Sequence, residues 1–406
     1  MTDRLMTSPG EHSAPTVLQF AAALSRRSHT EAAVHDLLGL IREQIGPRPL
    51  DVAFVFFSVH HAEQASTIAT MVKDSLGVDV FLGCTGEGVI AGSEEMETAP
   101  ALTLWVARLP NVRVSPLRLS FSETRDQLRM TGWPKPSSEP TTFILLADPF
   151  STPIPDVLSV LADRYPNGRA VGGLAGGGHR QGENRLLLNG DVVEDGIVGI
   201  QLAGPLTIRT VISQGCRPIG ERYVVTRAEG NRVYELGGRP ALDRLQSIFE
   251  SLTDVQRRHA HRALHIGIAV DEHRNRFGRG DFLVRNLLGA DEQSGTIAIG
   301  DVVQEGQTVQ FQLRDAHSAS EDLQVLLATD RAAHRNKPLG ALMFSCCGRG
   351  EGLFGRPHHD SGILQEQMGP FPVAGFFAQG EIGPVGNKNF LHGYTASIAI
   401  FSEPDC

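Results

Sequence analysis

Short, wholly apolar runs alternate with segments of helical periodicity, and one order of elements occurs three times along the chain. VAFVFFS, Val52 to Ser58, carries no charge and predicts a strand buried on both faces. In EQASTIATMVKDSLG the apolar positions Ala65, Ile68, Ala69, Val72 and Leu76 share one helical stripe, which stops at Gly77. VFLGCTGEG then predicts a strand ending in Gly86 and Glu87, and ALTLWVARL, Ala101 to Leu109, another after an acidic loop.

The order returns in the middle of the chain. FILLAD from Phe143 leads to a helix starting at Pro153 and Pro155, where a missing proline N–H costs nothing, with Val157, Leu158, Val160 and Leu161 apolar. AVGGLAGGG from Ala170 and GIVGIQL from Gly196 follow. Near the end, ALMFSCC from Ala341, a glycine-rich loop, a short helix around Ile363 to Met368, VAGFFAQGE from Val373 and YTASIAIF from Tyr394 repeat the pattern. Each unit is strand, helix, strand, glycine-rich turn, strand.

Hairpin-rich segments separate the units. LLLNGDVV has the Asn189-Gly190 dipeptide of a type I′ turn, whose two central residues need positive φ. HIGIAV, DFLVRNLL, TIAIGD and VQFQLRD, between Ala263 and Asp315, predict a meander. It is bracketed by a helix over RPALDRLQSIFESL and by one after SASE, where Ser318 and Glu321 have capping-box spacing. The pattern predicts an α/β fold: repeated β-α-β-β units forming mixed, largely antiparallel sheets flanked by helices, in two related domains. We expect a flexible tail over 1–25, an N-terminal domain over 26–236, a C-terminal domain over 237–401, and a pocket between them.

Composition narrows the function classes. A chain of 406 residues exceeds a single core. Its net charge of -9, with basic residues scattered, gives no footprint for nucleic acid. No run has membrane-spanning length, and the polar N-terminus MTDRLMTSPGEHSAPT lacks the apolar core of a signal peptide. Cys84, Cys216, Cys346, Cys347 and Cys406 are too few and too irregular for a disulfide framework or a zinc knuckle. A cytoplasmic setting follows, with no nucleic-acid and no membrane partner.

Three chemistries are weighed at the loops. Gly350, Gly352 and Gly355 have dinucleotide-loop spacing after a strand, but Arg356, Pro357 and two histidines intervene before any helix, and no acidic residue stands where a ribose needs one. We therefore expect no cofactor. His60, His61 and Glu63 cluster after the first strand and His358, His359 and Asp360 at the matching place in the last unit, yet no i, i+4 pair occurs, and no metal is expected. Cys346 or Cys347, at a strand end near Arg349, can act as a nucleophile; the plainer reading packs one in the core and the other under the loop, and the same two readings hold for Cys216.

Glu87 and Glu381 end their strands between glycines, where backbone N–H groups and a carboxylate can share a small concavity. Turn closure is the rival role. The middle unit has Gly177 at this place, so the turn itself does not need the carboxylate.

Taken together, GCTGEGVI, VGGLAG, QGCRPIG, GDFLVRNLLG, QFQLRDAHSASEDL, FSCCGRG and VAGFFAQGEIGP make the chain resemble the FIST sensory domain family, over roughly Asp51 to Phe401. The resemblance implies a FIST N-terminal and a FIST C-terminal part, and an intracellular sensor of small ligands such as amino acids that signals through protein contacts. Some members carry an F-box; about fifty residues before Asp51 leave no room for one, so a stand-alone sensor is expected. The resemblance brings no ligand residues. From the chain itself, an amino-acid-like ligand needs a cation for its carboxylate, from Arg285 with Asn286 or Arg314 with Asp315, and an acceptor for its ammonium, from Glu381 or Glu87. Arg349 is a candidate at the rim, and Arg285 has an ion pair with Asp281 as its plainer role. An enzyme with a cysteine nucleophile and a ligand-free interaction scaffold remain the alternatives.

Overall fold

The apolar runs are buried on both faces because each strand stands between two hydrophobic layers. The computed structural model describes residues 17–404, except 125–126, 137–138, 255, 258–262, 275–276 and 279. Along Leu50–Ser58, Phe54 and Phe56 point to one core while Val55 and Phe57 point to another, as the two-residue period of a strand requires. Phe54 and Phe56 join Trp105, Ile144, Val171, Phe344, Phe376 and Phe401 in a central core shared by all three units. Ring pairs bind it across units, Phe56 with Phe376 at 5.1 Å and Trp105 with Phe401 at 5.2 Å. The opposite faces are covered by each unit's own helices: Thr30–Ile45 and Ala65–Leu76 in the first, Ile154–Arg164 in the middle, Ala316–Ala333 and His359–Met368 in the last.

The units interlock. In each, the two strands flanking the helix are parallel neighbours, Leu50–Ser58 with Val78–Gly86, Thr142–Ala147 with Arg169–Leu174, and Gly340–Cys346 with Val373–Ala378. After the glycine-rich turn each unit sends a hairpin out of its own sheet into the next. The first unit's hairpin, Val89–Ala91 with Glu94–Met96, extends the last unit's sheet beside Val373–Ala378. The last unit's hairpin, Glu381–Val385 with Lys388–His392, extends the middle sheet beside Arg169–Leu174. The middle hairpin, Leu186–Leu188 with Asp191–Val193, extends the first sheet beside Val78–Gly86. The exchange is cyclic, and it covers one edge of every parallel pair.

A fourth sheet, built from the predicted meander and Cys216–Glu229, is inserted in the last unit between Thr207–Ser213 and the helix Ala316–Ala333. Because Thr207–Ser213 pairs along its length with Ala396–Ser402, the last unit draws on both halves of the chain. All pairings in the three exchange sheets other than those parallel pairs are antiparallel, so the mixed α/β class with helix-flanked sheets holds. Asn189 and Gly190 take φ of 50° and 100°, the predicted I′ turn.

Two local expectations change. Residues 19–25, expected in the tail, form an edge strand against Leu102–Arg108; QFAAALS alternates buried and half-buried positions, which is the signature of such a strand. The helix after QFQLRD is capped by Asp315, whose Oδ1 accepts the Ser318 N–H at 2.7 Å, rather than by Ser318. No helix among the described residues is long and apolar enough to cross a membrane.

Candidate functional site

The three glycine-rich turns meet at the centre of the exchange, and their backbones bind one another. Glu87 N–H donates to Phe377 O at 3.1 Å, Gly176 N–H to Thr85 O at 3.0 Å and Gln379 N–H to Leu174 O at 3.1 Å. A Cβ on Gly176 would lie 2.9 Å from both Glu87 N and Phe377 O, so the approach admits glycine alone. The turns are therefore built first for packing.

Their two carboxylates part company. Glu87 points to solvent and is exposed. Glu381 is fully buried; its Oε2 accepts the Thr395 N–H at 3.0 Å, while Oε1 has no partner. Burial and the adjacent Cys346 thiol push its carboxyl well above the usual range, which favours its neutral form.

Arg349 does not stand at a rim. It is 1% exposed and grips Asp360 through Nε at 2.5 Å and Nη2 at 2.9 Å. Burial opposes its charge, but the Asp360 carboxylate more than offsets this and raises its pKa. Arg314 lies nearer the surface, donating to Gly348 O at 2.9 Å with its guanidinium 4.5 Å over the Tyr394 ring.

Arg285 and Asn286 also lie near Tyr394. With Gln214, His265, Gly300 and Tyr394 they line a recess of about 100 Å³. Arg285 pairs through Nε with Asp301 at 2.7 Å, not with Asp281, and its Nη1 holds Leu391 O at 3.1 Å on the exchanged hairpin. Arg285, Gly300 and Gly393 also edge an open cleft of about 640 Å³ between the helix Ile154–Arg164, the hairpin and the meander sheet. Two other hollows, of about 790 and 840 Å³, contain none of the predicted site residues.

The predicted ligand residues thus divide into two groups. Arg285 and Asn286 share a cavity with Tyr394, which Arg314 covers; Glu87, Glu381 and Arg349 lie around the Cys346–Arg349 turn and line none of that cavity. Asp301, the acidic group that lines the cleft, carries no sequence signal beyond its place at the end of TIAIGD.

The loop histidines have other work. His61 contacts Thr30 Oγ1 at 2.8 Å and is held down to about 4 by burial and by His60. His358 Nδ1 accepts the Glu95 N–H at 2.9 Å, and His359 contacts Asp360 at 2.9 Å. Among the described residues no three His, Cys, Asp or Glu side chains gather as a metal would need. In the Gly350 loop the Glu351 N–H donates to Glu97 Oε1 at 2.8 Å, so a side chain takes the donor that a phosphate would use.

Comparison with known proteins decides the family. Residues 51–239 match the FIST N domain and residues 241–384 the FIST C domain. The chain belongs to the FIST family. FIST domains are sensory domains that bind small ligands. An uncharacterized protein of Mycobacterium tuberculosis strain H37Rv is 42% identical over 380 residues, 93% of this chain and 97% of its own length. Another from Mycobacterium bovis is 39% identical over 381 residues, 93% and 96% of the two chains. In this FIST protein the match to the N domain ends at the Arg239–Pro240 bridge, which pairs with Glu235 and Leu236 inside the fourth sheet.

Proposed function

We propose that this FIST protein is a cytoplasmic sensor of an amino-acid-like metabolite, which binds where the recess opens into the cleft beside Arg285 and Asp301. The Arg285–Asp301 ion pair at the edge of the cleft, whose arginine also lines the recess, carries the reading. A zwitterion presents the same two charges in complement: its carboxylate takes the Arg285 guanidinium and its ammonium takes Asp301, so neither protein charge is left alone. Gln214, His265, Asn286 and Tyr394 offer polar edges to the ligand's remainder. Glu87 and Glu381, lying outside the cavity, have no part in this ligand set.

The signal has a physical route. Arg285 also holds Leu391 O, so a ligand that draws on its guanidinium bears on the hairpin Glu381–His392, an edge of the middle sheet, where a protein partner can read the change. The test is a thermal-shift and calorimetric screen of the common amino acids and related zwitterions. At least one is expected to raise the melting temperature of the native chain and to lose that effect in Arg285→Ala and in Asp301→Ala. Binding that survives both substitutions refutes the site.

A further inference from the structure

A surface thiol and a buried thiol stand next to each other at the junction of the three turns. Cys346 ends the strand Gly340–Cys346 at 7% exposure, whereas Cys347, expected under the loop, is exposed in the turn that follows. The turn is closed by the Arg349 N–H donating to Cys346 O at 2.8 Å, so the two cysteines occupy its first two positions. Both backbones are fixed, Cys346 N–H on Thr395 O at 2.9 Å and Cys347 N–H on Ala378 O at 3.0 Å.

The side chains are ordered as well. The Cys346 and Cys347 thiols interact with each other, and the Gly348 N–H donates to the Cys346 sulfur at 3.4 Å. That contact with Cys346 holds the Cys347 thiol below its usual range, against burial, which pushes it up. The same contact, and then burial, push Cys346 up. Against Cys346 lies Glu381, fully buried, with its Oε2 held by the Thr395 N–H and its carboxyl in contact with the Cys346 thiol. Nothing in the packing of a strand end requires a buried acid beside two adjacent thiols, of which Cys347 alone is exposed.

We propose that Cys346 and Cys347 are a peroxide-responsive dithiol that closes to a vicinal disulfide, with Cys347 as the attacking and Cys346 as the resolving thiol. The Cys347 thiolate attacks one oxygen of a hydroperoxide; the O–O bond breaks, the sulfur is oxidised to a sulfenic acid, and the departing alkoxide takes a proton from solvent. The Cys346 sulfur then attacks the Cys347 sulfur. The S–O bond breaks, an S–S bond forms, and hydroxide leaves with the Cys346 proton as water. Two thiols and one hydroperoxide give one disulfide, one alcohol and one water. The inference is independent of the ligand reading.

Cys84 and Cys216 are internal controls: both are buried, and burial pushes Cys84 well up and Cys216 to about 12. The experiment uses the full chain in a Cys406→Ser background, fully reduced and then exposed to about one equivalent of hydrogen peroxide, with thiol titration in denaturant and non-reducing peptide mapping. Two of the four remaining thiols are expected to disappear per monomer, with a mass loss of two hydrogens in the peptide holding Cys346 and Cys347, reversed by dithiothreitol. Cys347→Ser should keep its thiols under the same treatment, and Cys346→Ala should leave a sulfenic acid at Cys347 that dimedone captures. Loss of thiols in Cys347→Ser at the rate of the parent overturns the proposal. So does a parent protein that carries sulfinic acid on Cys347 with Cys346 free, or one cross-linked between chains.

Discussion

Glu95 Oε1 accepts the Ser361 N–H at 2.7 Å, and its Oε2 accepts the His359 N–H at 3.1 Å. A side chain on the first unit's exchanged hairpin thus caps a helix of the last unit, in the other half of the FIST pair. Glu95→Ala strands two helix-end donors in a buried place. The expected cost is about 2 kcal/mol of unfolding free energy, from the lost cap and the unpaired N–H groups. Urea denaturation checks it: a midpoint like that of the parent would show that the hairpin is held by its ladder alone.

The same carboxyl makes stability depend on pH. Burial, and then the Asp360 carboxylate, push Glu95 from its usual 4.5 up to about 7, although hydrogen bonding from Ser361 favours its charge. The folded chain therefore binds this proton more tightly than the unfolded chain, and the contribution falls as pH rises from about 4.5 to about 7, then levels. Burial holds His61 and His392 down to about 4, which gives the opposite slope below their usual 6.5, so the bare profile mixes signs. The difference in unfolding free energy between parent and Glu95→Gln isolates the carboxyl. It is expected to shrink with rising pH across that window; a flat or growing difference contradicts the assignment.

How much of this was legible in the sequence follows from what local pattern encodes. Val52 to Ser58 announced a strand, Ala65 to Leu76 a helix and Asn189-Gly190 a turn, because periodicity and positive φ are properties of a few neighbouring residues. The exchange of hairpins was not legible, since Val89–Ala91 looks the same whichever edge it joins, and only the assembled edges decide. For the same reason GEG and QGE looked alike, yet Glu87 is exposed and Glu381 buried: the covering residues, such as Thr395, come from another strand connection. Arg285 stands out in the sequence as a charge interrupting an apolar strand, but its partner Asp301 lies across a turn and a further strand.

Packing at the junction of the turns gives a sharper contrast. On Gly176 a methyl group would meet backbone atoms of Glu87 and Phe377 at 2.9 Å, and neither turn can yield without breaking the bonds that join them. Gly176→Ala is expected to lower stability by about 3 kcal/mol. Gly39, exposed in the middle of the helix Thr30–Ile45, has open space at the same atom, and Gly39→Ala should raise stability by about 1 kcal/mol. Equal effects of the two substitutions in thermal melts would deny the close approach.

Asp360 accepts Arg349 twice and also takes the Ser345 hydroxyl at 3.0 Å, so one carboxylate satisfies a guanidinium, a hydroxyl and a histidine in a site closed to water. Burial pushes its pKa up, and the Arg349 guanidinium overrides this and holds it below the carboxylate range. Asp360→Asn removes the charge but leaves Arg349 buried, which should cost about 3–5 kcal/mol. Removing both charges, in Arg349→Met with Asp360→Asn, takes away the unpaired ion as well, so the double variant is expected to be more stable than Asp360→Asn alone. A double-mutant cycle by urea denaturation measures the coupling. If the two costs simply add, the pair is not the closed structural unit that its geometry describes.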